Sequence, residues 1–194
     1  ADLSIHLDIN EDGVREVGVT RFWAAGSGAY RGSVVGPWSA GMPPDWLRVL
    51  HGGGKGSAIN AALSMTGRRV GAELQTLGIR GPVGVDCLVV RQDGLIKFLP
   101  VLEVNPRYTM GRVAVELHRQ TGQRGAWFFL DDSMIMRAGY PSRADFVRRI
   151  EQTDGAVFTT DPGAAERVVT LFVHGTSHAA ARGVWTGLGF DWPD

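Results

Sequence analysis

Two apolar runs, residues 83–90 and 95–104, stand on either side of Gln92-Asp93-Gly94. Asp-Gly between alternating β-branched runs is a strong short-range signal for an antiparallel hairpin, because the favoured tight turn needs positive φ at its central positions. If Asp93 and Gly94 alone make the turn, Gln92 pairs with Leu95, and Asp86 falls opposite Val101, on the face shared with Glu103. Diagonal neighbours of this kind sit about 7–8 Å apart. A wider loop or a bulge shifts the register and can set Asp86 directly opposite Glu103. In either register Glu103 and Asn105 point the same way, since strand residues two apart share a face.

The rest of the chain supplies a sheet and helices around this hairpin. Leu3, Ile5, Leu7 and Ile9 alternate with Ser4, His6 and Asp8, which reads as a half-buried strand, with a return strand over residues 14–22 after a turn at 10–13. Residues 26–32 read as a loop leading into a short strand that ends at Val35. Residues 44–50 read as a short helix. After the Gly-rich run 51–56, Ser57 stands as an N-cap, and Ile59, Leu63, Thr66, Val70, Leu74 and Leu77 recur at helical spacing until Gly78. Gly67 and Gly71 weaken this helix but permit close packing. Thr109 opens a helix reaching about residue 120. Further on, residues 126–130 and 168–173 read as strands, and 143–152 and 177–188 as helices.

The hairpin has the donors of a hard-cation site. Two carboxylates and an amide oxygen suit Mg²⁺ or Mn²⁺, which bind one or two carboxylates together with phosphate oxygens. Arg107 follows within two residues, placed to hold a phosphate or an anionic intermediate, and Pro106 stiffens the exit from the strand. Most strand carboxylates are merely solvated, but Leu99 and Val101 share this face and argue against a purely wet one.

Gly84-Val85-Asp86 followed by Pro100-Val101-Leu102-Glu103-Val104-Asn105-Pro106-Arg107 resembles the C-terminal metal-binding hairpin of ATP-grasp enzymes, a superfamily that includes carboxylate–amine ligases, biotin carboxylase and carbamoyl-phosphate synthetase. The resemblance implies ATP and Mg²⁺ (or Mn²⁺) as cofactors, and Asp86, Glu103 and Asn105 as metal ligands, with Glu103 bridging two ions. It implies Arg107 as a contact to phosphate or to an acyl-phosphate intermediate. The segments Asp2-Leu3-Ser4-Ile5, Val19-Thr20-Arg21 and Gly28-Ala29-Tyr30-Arg31-Gly32 resemble the opening strand of the C-terminal lobe and the loop covering the triphosphate. On that likeness Arg31, and after it Arg21, is the basic residue expected at the phosphates, Arg31 and Arg107 acting in catalysis.

His51-Gly52-Gly53-Gly54-Lys55-Gly56-Ser57 precedes a helix, whose free N–H groups can bind an anion with Lys55 reaching in. It lacks Walker A spacing, and a plain connector reads equally well. The resemblance covers residues 1–120. The nucleotide-gripping small lobe and its lysines are expected to precede Ala1, so the chain reads as part of a longer protein whose N-terminal portion is a required partner. Residues 1–122 are expected to form the metal- and phosphate-binding lobe, and 123–194 a small α/β module of unknown role.

Zero formal net charge gives no basic field for nucleic acid, and no apolar run approaches a membrane span. The single cysteine, Cys87, forms no internal disulfide and points to a reducing, cytoplasmic compartment. It lies on the strand face opposite Asp86, as a small core residue. Gly175-Thr176-Ser177-His178-Ala179 looks like a nucleophile elbow with its last glycine replaced, but too few residues follow to supply the acid and histidine, and Ser177 reads better as a helix cap. Asp131-Asp132 begin a loop. The whole indicates an α/β chain of α+β type: an antiparallel sheet with helices mainly on one face. The activity implied is activation of a carboxylate as an acyl phosphate and its transfer to an amine, with small-molecule carboxylate and amine substrates and a homodimer as further partners. The alternative is a non-catalytic scaffold or ligand-sensing lobe.

Overall fold

The computed structural model describes residues 1–51, 58–92 and 95–193, with side chains 49, 51 and 95 left aside. Among these residues the chain forms eight strands and six helices: β1 Asp2–Asn10, β2 Gly13–Ala24, β3 Tyr30–Val35, α1 Pro44–His51, α2 Ala58–Thr76, β4 Gly81–Gln92, β5 Leu95–Asn105, α3 Met110–Thr121, β6 Arg124–Asp131, α4 Asp132–Arg137, α5 Arg143–Glu151, β7 Ala156–Phe158, β8 Val168–Gly175 and α6 His178–Gly187. The strands make one sheet in the order β5-β4-β1-β2-β3-β6-β8-β7, and every pairing is antiparallel.

Period-two alternation sorts the side chains. On β1, Leu3, Ile5, Leu7 and Ile9 are fully or almost fully buried, and Val83, Val85, Cys87 and Val89 of β4 join them beneath α1 and α2. Each such burial contributes about 1.5–3 kcal/mol. Leu3 pairs with Arg21, and Trp23 lies two residues on, so the same face continues into the core of Phe128, Leu130, Leu171 and Val173 under α4, α5 and α6. Of the described helices only α3 lies on the other face, packed over Val35, Trp127 and Phe172. The helices therefore lie mainly on one face, as the sequence predicts. Residues 124–175 add their strands to the edge offered by β3, so the boundary expected near residue 122 falls between α3 and β6 within one continuous sheet.

Two helix starts differ from expectation. Asp131 does not begin a loop: its carboxylate accepts from Met134 N at 2.9 Å and caps α4. Thr109 occupies the N-cap of α3 with extended backbone, but its side chain makes no cap bond. Its hydroxyl instead lies 3.2 Å from Nδ1 of His6. Ser177 caps α6, accepting from Ala180 N at 3.1 Å. Among the described residues no helix is long and apolar enough to cross a membrane.

Candidate functional site

The hairpin resolves the question of register. Gln92 pairs with Leu95 and Leu88 with Leu99, as a two-residue connection requires; Asp93 and Gly94 themselves lie outside the described residues. Between Leu88 and Asp86 the register then shifts, so that Asp86 stands directly opposite Glu103 and Gly84 opposite Asn105. The extra residues on β5 include Pro100, which has no N–H to give to a ladder and is at home in a bulge. Of the two registers open from the sequence, the bulge selects the one with Asp86 directly opposite Glu103 rather than Val101.

Register carries the site across the sheet. Glu103, Asp86, Ser4 and Thr20 form one row over β5, β4, β1 and β2, and Asn105, Gly84 and His6 form the next. After β5 the chain turns back over this second row. A Cβ at Gly84 would lie 2.6 Å from Cγ2 of Thr109, so only glycine admits the crossing. Gly111 in the first turn of α3 has the same role: a Cβ there would lie 2.8 Å from Cε1 of His6. His6 is 1% exposed and joins Thr20 Oγ1 at 2.8 Å and the Thr109 hydroxyl. Burial, with Arg112 adding its charge, pushes its pKa down to about 4, so the ring is neutral and ties β1, β2 and α3 together.

Asn105 is buried and donates from Nδ2 to Asp86 Oδ2 at 3.3 Å, while its Oδ1 accepts from Arg107 Nη2 at 3.2 Å. Glu103 is exposed. Burial holds the Asp86 carboxyl above its usual range; the Ser4 hydroxyl opposes this, the Glu103 charge reinforces it, and Arg107 opposes it. Two facing carboxylates, with like charge pressing on the more buried one, are a donor set that a divalent cation would relieve. Asp86, Glu103 and Asn105 offer oxygen only, which fits Mg²⁺ completing its shell with water or phosphate oxygens. Among the described residues no group of three or more His, Cys, Asp or Glu is placed to hold a metal ion. The cleft above these groups holds about 370 Å³, with Phe22, Tyr30, Leu102 and Met110 as its apolar walls.

Asp86, Glu103, Asn105 and Arg107 thus come together, and Arg107 is the one cation among the described residues lining the cleft. The two loop arginines do not reach it. Arg31 points to the opposite side of the sheet, where Nη1 pairs with Asp131 Oδ2 at 3.0 Å. Arg21 is 7% exposed and donates to Ala40 O at 2.8 Å. Arg21 faces away because it falls in phase with Trp23 on β2, and Arg31 because the register shifts there, from Trp23 opposite Gly32 to Ala24 opposite Tyr30. Lys55 lies outside the described residues. Ser4, His6, Thr20 and Tyr30 are contributors that sequence reasoning did not single out. The polar phase of the β1 alternation was the available signal.

No protein-family model matches the chain, and no curated protein does so either. Solved structures do match. An N5-carboxyaminoimidazole ribonucleotide synthetase, PurK, in complex with ADP superposes with a TM-score of 0.55 at 12% identity, over 96% of this chain and 48% of that one. The N5-carboxyaminoimidazole synthetase from Staphylococcus aureus complexed with ADP gives 0.58 at 9% identity, over 96% and 50%. The enzyme from Aspergillus clavatus in complex with ADP and the aminoimidazole ribonucleotide gives 0.56 at 11%, over 96% and 50%. The chain spans about half the length of these structures. At such identities the likeness establishes the fold: an α+β antiparallel sheet of the ATP-grasp kind.

Proposed function

From the ATP-grasp fold as premise, we propose that the chain supplies the metal- and phosphate-contacting half of an ATP- and Mg²⁺-dependent ligase, which activates a carboxylate as an acyl phosphate for attack by an amine. The observation that carries this reading is the Asp86–Glu103 pair set face to face by the bulge, with Asn105 beside it. Nucleotide binding has independent support from the ADP complexes of the matching structures. Residues 1–122 act as the working lobe and 123–194 as a module that extends its sheet, with the nucleotide-gripping residues in a further N-terminal part. The free, buried Cys87 suits a reducing cytoplasm.

In this reading Asp86, Glu103 and Asn105 hold the Mg²⁺, which when bound neutralises the phosphates and aligns the transferring group. Arg107, held by Asn105, is placed to steady the oxyanion charge of the phosphoryl group or of the acyl phosphate. The hydrogen bond from Asn105 to Asp86 keeps the two ligands in register with each other. His6, locked neutral between Thr20 and Thr109, fixes the backbone from which Asn105 and Arg107 project. Phe22 and Tyr30 keep water from one wall of the cleft.

The test uses the Glu103→Gln variant of the intact protein. MgATP-dependent acyl-phosphate formation, trapped with hydroxylamine across a panel of carboxylic acids, is expected to fall by about 10²–10³, with the circular dichroism spectrum unchanged. Near-normal turnover in the variant would overturn the assignment.

A further inference from the structure

A second cavity, of about 670 Å³, opens on the helix-bearing face of the sheet, across β2 from the carboxylate cleft. Its walls come from β2, the segment between β3 and α1, α1 itself and the C-terminal residues. They are strongly aromatic: Trp23, Trp46 and Trp192 line it, together with Met42. At its side stands Arg21, which is 93% buried as its 7% exposure requires. Among the described residues Arg21 makes a single hydrogen bond, from Nη2 to the carbonyl of Ala40, and its Nε is buried with no partner. No carboxylate pairs with it there; burial alone acts on its pKa, lowering it to about 10. Trp23 offers its ring face to the guanidinium at 5.9 Å.

A buried guanidinium without a counter-charge is costly, and an anion bound beside it would offset that cost. Arg182 adds a second positive charge to the lining, and Asp2 one negative charge. Two guanidinium groups against one carboxylate leave the side chains of the lining with one net positive charge, which favours a singly charged anion over a phosphate dianion. The size falls in the range of small-molecule sites, and flat indole walls suit a planar ring. We infer that this cavity is a ligand site for a small aromatic or heteroaromatic carboxylate, whose carboxylate pairs with Arg21 and whose ring lies among Trp23, Trp46 and Trp192. The inference stands apart from the metal-site reading, since it uses none of those residues.

Isothermal titration of the chain with 2-naphthoate, its neutral analogue 2-naphthamide and inorganic phosphate provides the test. The naphthoate is expected to bind saturably below about 10 mM, with the amide and phosphate at least about tenfold weaker. Trp46→Ala, a partly exposed wall residue, is expected to weaken naphthoate about tenfold, and Arg21→Met to abolish the preference for carboxylate over amide. Should Arg21→Met fail to fold, the wild-type comparison and Trp46→Ala still decide. Absence of naphthoate binding, equal binding of the amide, tighter binding of phosphate, or binding indifferent to Trp46→Ala would each overturn the proposal.

Discussion

Substituting Gly111 by alanine places a methyl group against the buried His6–Thr20 contact. The new Cβ would lie 2.8 Å from both Cε1 and Nε2 of His6, and closer still to the Thr20 hydroxyl. His6 is fully buried and bonded on both ring nitrogens, so it cannot swing aside. In a helix the exchange would ordinarily stabilise, by about 0.5–1 kcal/mol, because glycine loses more backbone freedom on folding. Overpacking a tight contact costs about 1–3 kcal/mol, and the clash wins. A net loss of about 1–2 kcal/mol is expected. Gly183→Ala is the control. That residue is exposed on α6, with nothing within 4 Å of its added Cβ, and should gain about 0.5–1 kcal/mol. Urea denaturation followed by circular dichroism measures both. In a chain of this size each kcal/mol moves the melting temperature by about 2–4 °C, so thermal melts should separate the two variants as well. A Gly111→Ala protein as stable as wild type, or as Gly183→Ala, would refute the argument that α3 is seated by direct contact with the His6–Thr20 pair.

Three further outcomes are expected. Both His6 and His178 are held at about 4, in each case first by burial, against 6.5 unfolded. The unfolded chain therefore binds more protons between those values, so stability is full above pH 6.5 and falls as pH drops towards 4. Of this loss His6 accounts for roughly 3 kcal/mol, and a urea midpoint unchanged between pH 7 and 5 would contradict it. Burial, with Asp86 adding to it, pushes the Cys87 thiol up to about 12 at 1% exposure. A thiol reagent at pH 8 should react only as fast as the protein unfolds, and prompt stoichiometric labelling would contradict this. Asp131→Ala removes the cap of α4 and the partner of Arg31. It should cost about 1–2 kcal/mol in urea denaturation, and an unmoved midpoint would show that the cap contributes nothing.

Local chemistry wrote much of this protein into its sequence. Alternation along β1, the Asp93-Gly94 signal and the helical spacing from Ile59 to Leu74 depend only on neighbours in the chain, and the elements they predict are present within a residue or two at their ends. The grouping of Asp86, Glu103, Asn105 and Arg107 was legible for the same reason, since one hairpin carries all four. What the chain could not declare was anything set by packing between distant segments. The register of Asp86 rested on a bulge at Pro100, which competes with the regular ladder on an energy too small to read from residue types. The direction of Arg31 and Arg21 was decided by the phase in which β2 and β3 join the sheet, turning both away from the cleft. Thr109 left its capping role for His6, more than a hundred residues earlier, because the close crossing at Gly84 and Gly111 brought the two together. Sequence alone determined which groups the hairpin could offer a cation. Only the tertiary structure decided how they face one another and which arginines stand with them.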